Sequence, residues 1–149
     1  MTILGFGNDL LHIPRLANLL SRPNRLDAFS KRILTKRELD LLALVEPGDA
    51  QTRFLAVRWA AKESLYKALY PVFKPTWKDV SILPLPLPSS TSSSSIPLSP
   101  RPTGSKPMVV FEQEGQLADK GLRAHLSISH DTGLVLAGVI VEEDKNEIK

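Results

Sequence analysis

The chain has 149 residues, 42% of them hydrophobic, with 19 Lys and Arg against 16 Asp and Glu. That suits one folded domain with a real core and leaves little room for a second. The absence of cysteine excludes disulfides, thiolate metal centres, iron–sulfur clusters and thiol nucleophiles. No apolar run approaches the roughly 20 residues that cross a bilayer, so no membrane partner is expected, and a net charge of +3 admits an anionic partner without requiring one.

Ile3 to Gly7 reads as a short strand running into Asn8 and Asp9, and Pro14 is placed to open a helix carrying Leu16, Leu19 and Leu20. Pro23 and Asn24 stop that helix, and a second is predicted around Leu26, Phe29 and Ile33. Thr35 with Glu38 three residues later has the form of a capping box, and residues 46–49 make a turn. Arg53 to Tyr70 is the strongest helix, rich in Ala, Leu, Lys and Glu, free of Gly and Pro, and closed by Pro71. Seven-residue spacing aligns Ala56, Glu63 and Tyr70, which sets a carboxylate in an otherwise apolar strip. Pro84 to Pro107 holds seven of the twelve prolines and a serine run, a composition that predicts a disordered surface insertion. Met108 to Phe111 resumes a strand, Gly115 to Gly121 a short helix or turn, and His125 to Ser129 with Leu134 to Val141 a hairpin around Asp131-Thr132-Gly133. The polar residues 142–149 are expected to fray.

Three constellations could carry chemistry. Gly5-Phe6-Gly7-Asn8-Asp9 has small residues that let a strand end bend sharply and leave Asp9 projecting; alone, the pattern more often describes a turn or helix cap. Trp59 to Lys67 puts Glu63 on a small-residue face with Lys67 one turn on, and by itself this reads as an exposed i,i+4 ion pair. Leu126-Ser127-Ile128-Ser129-His130 ends an apolar strand with alternate hydroxyls and an imidazole, suited either to a phosphate or to a hydroxyl ladder with a turn-capping histidine. His12, His125 and His130 lack the close pairing of a zinc site. Two carboxylates from distant segments suit magnesium better.

In their order along the chain these blocks resemble the holo-acyl-carrier-protein synthases, a family of phosphopantetheinyl transferases. Gly5 to Leu10 with Ile13 and Arg15 resembles the family's opening Gly-x-Gly-x-Asp motif. Arg58-Trp59-Ala60-Ala61-Lys62-Glu63-Ser64 with Lys67 and Ala68 resembles its Arg-aromatic-Ala-Ala-Lys-Glu-Ala helix, and Ser127 to His130 its penultimate strand. Phe29, Lys31 to Thr35 and Glu38 fit the segment between. The likeness covers roughly residues 3–70 and 108–142, nearly all of the chain outside the Ser/Pro segment.

The resemblance implies transfer of the phosphopantetheine arm of coenzyme A to a serine of an apo acyl carrier protein, with release of adenosine 3',5'-bisphosphate and a need for magnesium. It implies Asp9 and Glu63 as the magnesium ligands, and Lys67, Arg58 and Lys62 beside anionic oxygens. Ser129 and His130 would contact nucleotide phosphate, while Arg15, Arg22 and Arg25 on the first helix would receive an acidic carrier protein. The base for the serine proton stays open between a metal-bound water and Glu63. Family members are homotrimers with the site between subunits. The expected fold is α+β in a single domain, a long helix on a small antiparallel sheet formed by Ile3 to Gly7, Met108 to Phe111 and the terminal hairpin.

His12 stands where many relatives carry an acid, and the Pro84 to Pro107 insertion has a eukaryotic, fungal character that would make a mitochondrial carrier protein a partner. The motif begins close to Met1, with no visible transit peptide, so the compartment stays open between mitochondrial and cytoplasmic. A different class of function is a non-catalytic module presenting the proline-rich segment to SH3 or WW domains, but that segment lacks a Pro-x-x-Pro core flanked by Arg. Nucleic acid is not an expected partner, since the basic residues are dispersed and no aromatic platform alternates with them.

Overall fold

The computed structural model describes residues 1–84 and 106–144. Strand β1 (Thr2–His12) leads into helices α1 (Ile13–Leu20), α2 (Arg25–Ile33), α3 (Lys36–Leu42) and α4 (Asp49–Leu69). Strands β2 (Val80–Pro84), β3 (Pro107–Phe111), β4 (Leu122–Asp131) and β5 (Leu134–Glu143) follow. The expected insertion lies almost wholly in residues 85–105, outside the described residues, as do 145–149; Pro84 and Pro107 themselves pair across β2 and β3.

The main sheet is antiparallel in the order β1-β5-β4, and β2 pairs with β3 in a separate two-stranded sheet. This corrects the expected placing of Met108 to Phe111 in the main sheet. β3 pairs with Val80–Pro84, a segment whose first three residues are all buried and which therefore shows no polar alternation to mark it as a strand. β1 is also longer than Ile3 to Gly7. Asp9 sits inside it, opposite Ala137, rather than at a bend beyond its end.

Local chemistry explains the other elements. Pro14 stands in the first turn of α1, where its missing N–H costs nothing. The capping box at α3 forms as expected: Glu38 N–H donates to Thr35 Oγ1 at 3.3 Å and Thr35 N–H to Glu38 Oε2 at 2.9 Å. The β4–β5 hairpin turns through Thr132 (φ 42°) and Gly133 (φ 79°), the left-handed pair that a two-residue turn needs to match strand twist. β5 continues through Glu142 to Glu143, so the fraying expected from residue 142 does not begin there.

Alternate residues of β5 divide inside from outside. Val135, Ala137, Val139 and Val141 are buried against α4, whereas Leu134, Leu136 and Ile140 are 39–45% exposed. Phe6 and Leu10, paired with Ile140 and Leu136, are 61% and 62% exposed. The sheet thus covers its core with one face and turns a second apolar face outward.

Candidate active site

The glycines of the opening motif act on distance rather than on chain direction. A Cβ on Gly7 would fall 2.0 Å from the carbonyl oxygen of Ser64, and one on Gly5 2.1 Å from that of Ala68. β1 and α4 therefore meet backbone to backbone, a contact that only glycine on the strand and small residues on the helix allow. Ser64 ties the same face to β5, its Oγ lying 2.7 Å from Ala60 O and 3.1 Å from Ala137 O.

This contact brings Asp9, Glu63 and Lys67 together. Asp9 shares the inward face of the sheet with Ala137, and Lys67 Nζ donates to Asp9 Oδ1 at 2.8 Å and to Asn8 O at 2.9 Å. The pair is therefore between strand and helix, not the i,i+4 bridge from Glu63 to Lys67 that spacing alone suggests. Partial burial pushes the Glu63 carboxyl above its ordinary value; the nearby Asp9 carboxylate adds to the rise, and Lys67 opposes it. A carboxyl whose charging is disfavoured by burial and by a second acid, with only part of that cost relieved by one lysine, forms with that acid a donor pair suited to a hard cation. Among the described residues no cluster of three or more potential metal ligands occurs.

Beside Glu63 a cavity of about 330 Å³ opens between α4 and the segment before β2, walled mainly by Leu65, Tyr66, Pro75, Trp77 and Val80. None of these residues was identified from sequence as functional. The aromatic Trp77 was the available signal, but nothing local shows that it folds back against α4.

Lys62 and Arg58 are not brought to this acid pair. Lys62 is 4% exposed, and its Nζ donates to Glu38 Oε2 at 2.6 Å, Ile33 O at 2.7 Å and Trp77 O at 2.8 Å. Its three protons are thus engaged. Arg58 is buried with its guanidinium 3.3 Å from the Phe54 ring centroid and its Nε 3.8 Å from Glu38 Oε1. Burial lowers the pKa of Arg58 to about 10 and lowers that of Lys62, and in both cases Glu38 opposes the fall. Glu38 is itself fully buried and also accepts from Ile82 N–H at 2.8 Å. The capping glutamate is a hub joining α3, α4 and β2, a role its local motif did not reveal.

Ser129 and His130 lie on opposite faces of β4. Ser129 is opposite Leu136 on the outward face, while His130 lines a separate cavity of about 630 Å³ with Thr52, Arg53, Asp131 and Gly133. Arg15 and Arg22 flank a groove of about 390 Å³ with Leu19 and Trp59. Only Arg15 belongs to α1; Arg22 is in the turn after it and Arg25 begins α2. All three are exposed, and none forms an ion pair among the described residues.

Residues 5–115 match the family model described as the 4'-phosphopantetheinyl transferase superfamily. The holo-[acyl-carrier-protein] synthase of Koribacter versatilis is 32% identical over 146 residues, 95% of this chain and 99% of that protein. The holo-[acyl-carrier-protein] synthase structure from Neisseria meningitidis is 26% identical with a TM-score of 0.67, covering 95% of this chain and 100% of that one. The ACPS–CoA complex from Chronobacterium ammoniagenes is 26% identical with a TM-score of 0.66, covering 94% and 97%. By sequence along nearly its whole length and by fold, the chain belongs to the 4'-phosphopantetheinyl transferase superfamily, in its holo-[acyl-carrier-protein] synthase branch.

Proposed function

We propose that the chain transfers the phosphopantetheine arm of coenzyme A to a serine of an apo acyl carrier protein, giving holo-carrier and adenosine 3',5'-bisphosphate. The observation that carries this reading is the meeting of Asp9 from β1 with Glu63 and Lys67 from α4 in a chain of this family. Asp9 and Glu63 would hold magnesium on the pyrophosphate of coenzyme A. Bound there, the ion would neutralise charge on the bridging and leaving oxygens. Lys67, half exposed and already aimed at Asp9, supplies a fixed positive charge to an oxygen that becomes anionic as the pyrophosphate bond breaks. His130, in the cavity with Arg53, would contact the nucleotide phosphate; Ser129, on the outward face, would reach one only across a contact between copies. The engaged protons of Lys62 and the buried Arg58 assign these two to holding the site in shape rather than to binding anions directly.

Arg15, Arg22 and Arg25 form the basic surface offered to an acidic carrier protein, where charge complementarity mainly raises the association rate. The outward apolar face of the sheet is assigned to contacts between copies in a homotrimer, since an exposed patch of this kind marks an interface. The test is intact-mass spectrometry of an apo acyl carrier protein incubated with the chain, coenzyme A and magnesium. A gain of one phosphopantetheine arm, lost with Asp9→Ala, supports the reading; no gain across several acidic carriers while the chain stays folded overturns it.

A further inference from the structure

Lys67 stands on an oxygen that a metal would need. Its Nζ donates to Asp9 Oδ1 at 2.8 Å and to Asn8 O at 2.9 Å, and among the described residues it is the one cation in an ion pair with either acid. The two partners differ in freedom. Asp9 is 18% exposed and lies within β1 opposite Ala137, whereas Lys67 is 48% exposed. The base of the lysine is held, since its Cβ lies 2.9 Å from where a Cβ on Gly7 would fall; the outer part of the side chain is free to turn. β1 is an edge of its sheet and Asn8 is exposed, so water can replace the lysine at Asn8 O.

Charge decides when the lysine turns. Two carboxylates and one ammonium leave one negative charge over. A divalent cation entering with the ammonium still in place would reverse that sign at contact distance, where like charges cost most. A pyrophosphate arriving with the cation reverses it again and offers the ammonium a new acceptor. Resting on the transferase reading above, we propose that Lys67 is a displaceable counter-ion. It holds Asp9 Oδ1 against magnesium in the free chain, and it changes acceptor to a pyrophosphate oxygen when metal and coenzyme A are both present. Metal and co-substrate then bind cooperatively, each raising the affinity for the other by the same factor, and Lys67 carries part of that coupling.

Calorimetric titration of the full chain with magnesium, with and without saturating coenzyme A, tests the assignment. In the wild type, coenzyme A should raise magnesium affinity on the order of tenfold. Lys67→Met should bind magnesium alone roughly tenfold more tightly, the size expected when one like charge near contact is removed in water, and should lose most of the coupling. Lys74→Met removes a lysine set over the Tyr70 ring rather than on an acid, and should shift magnesium affinity by less than about twofold. A Lys67→Met chain that binds magnesium alone no more tightly than wild type, or that keeps the full coupling, overturns the counter-ion, and so does an equal gain in Lys74→Met. In a chain carrying isotope-labelled lysine, the Lys67 ammonium signal, known by its loss in Lys67→Met, should shift when magnesium and coenzyme A are added together. A signal that stays in place while both bind overturns the displacement. A wild-type chain that binds coenzyme A with magnesium and fails these tests loses the counter-ion alone, whereas one that binds no coenzyme A overturns the transferase reading as well.

Discussion

Glu63 is an acid held where its charge is disfavoured. Its carboxyl is protonated more readily in the folded chain than in the unfolded one, first through burial and then through Asp9. Between its ordinary value of 4.5 and the raised one, the native state binds the extra proton, so stability falls as pH rises through that window. Glu63→Gln should therefore raise the melting temperature of the metal-free chain slightly at neutral pH, and the gain should vanish as pH falls below the ordinary value. A gain that instead grows on acidification would refute this account. The two lysines flanking Glu63 separate fold from chemistry. Lys62→Met strands the buried Glu38 carboxylate and should cost about 3–5 kcal/mol in denaturant titrations. Lys67→Met removes a half-exposed side chain; it should melt near wild type while transfer falls on the order of 10²- to 10³-fold.

Among the elements, the contact between β1 and α4 decides whether the acids meet. Gly7→Ala forces a Cβ into a helix carbonyl and should either unfold the chain or shift α4, with transfer lost in both cases. Gly138→Ala is the control, because its Cβ would meet only Phe6 Cε2 at 3.7 Å, an ordinary contact; circular dichroism and the transfer assay should find it close to wild type. What was legible in the sequence was what local chemistry determines: the Thr35–Glu38 cap, the long α4, the Thr132-Gly133 turn and, through motif order, Asp9 and Glu63. What was not legible depends on partners far along the chain. The glycines read as a bend because Ser64 O and Ala68 O, which they accommodate, lie some sixty residues away. Lys62 was placed beside anionic oxygens by motif resemblance alone; one residue is about 100° of helix, enough to turn it from the Glu63 side toward Glu38. β3 was assigned to the wrong sheet because β2, buried from Val80 to Ile82, carries no alternation.

The whole molecule presents two contrasting surfaces. Outward from the sheet, Phe6, Leu10, Leu136 and Ile140 are 40–62% exposed, where an antiparallel sheet facing water would normally carry polar residues. Leu136→Glu should convert a trimer to monomers in sedimentation equilibrium without removing any buried core side chain; a wild-type chain that sediments as a monomer at micromolar concentration would remove the assembly from the account. Away from that face, Arg15, Arg22 and Arg25 are exposed and outside any ion pair among the described residues; on the proposed docking of an acidic carrier there, the rate of carrier association should fall as salt rises.

The meeting of main chain with main chain at Gly5 and Gly7 has a consequence for how this protein can vary. Side-chain packing relaxes in part when a methyl group is added or removed, but two backbones already in contact have nothing between them to resize. The gap between Asp9 and Glu63 is therefore gauged by the thickness of the polypeptide itself. A change of side-chain size elsewhere in the core costs stability through cavity or strain, but it does not act directly on that gauge.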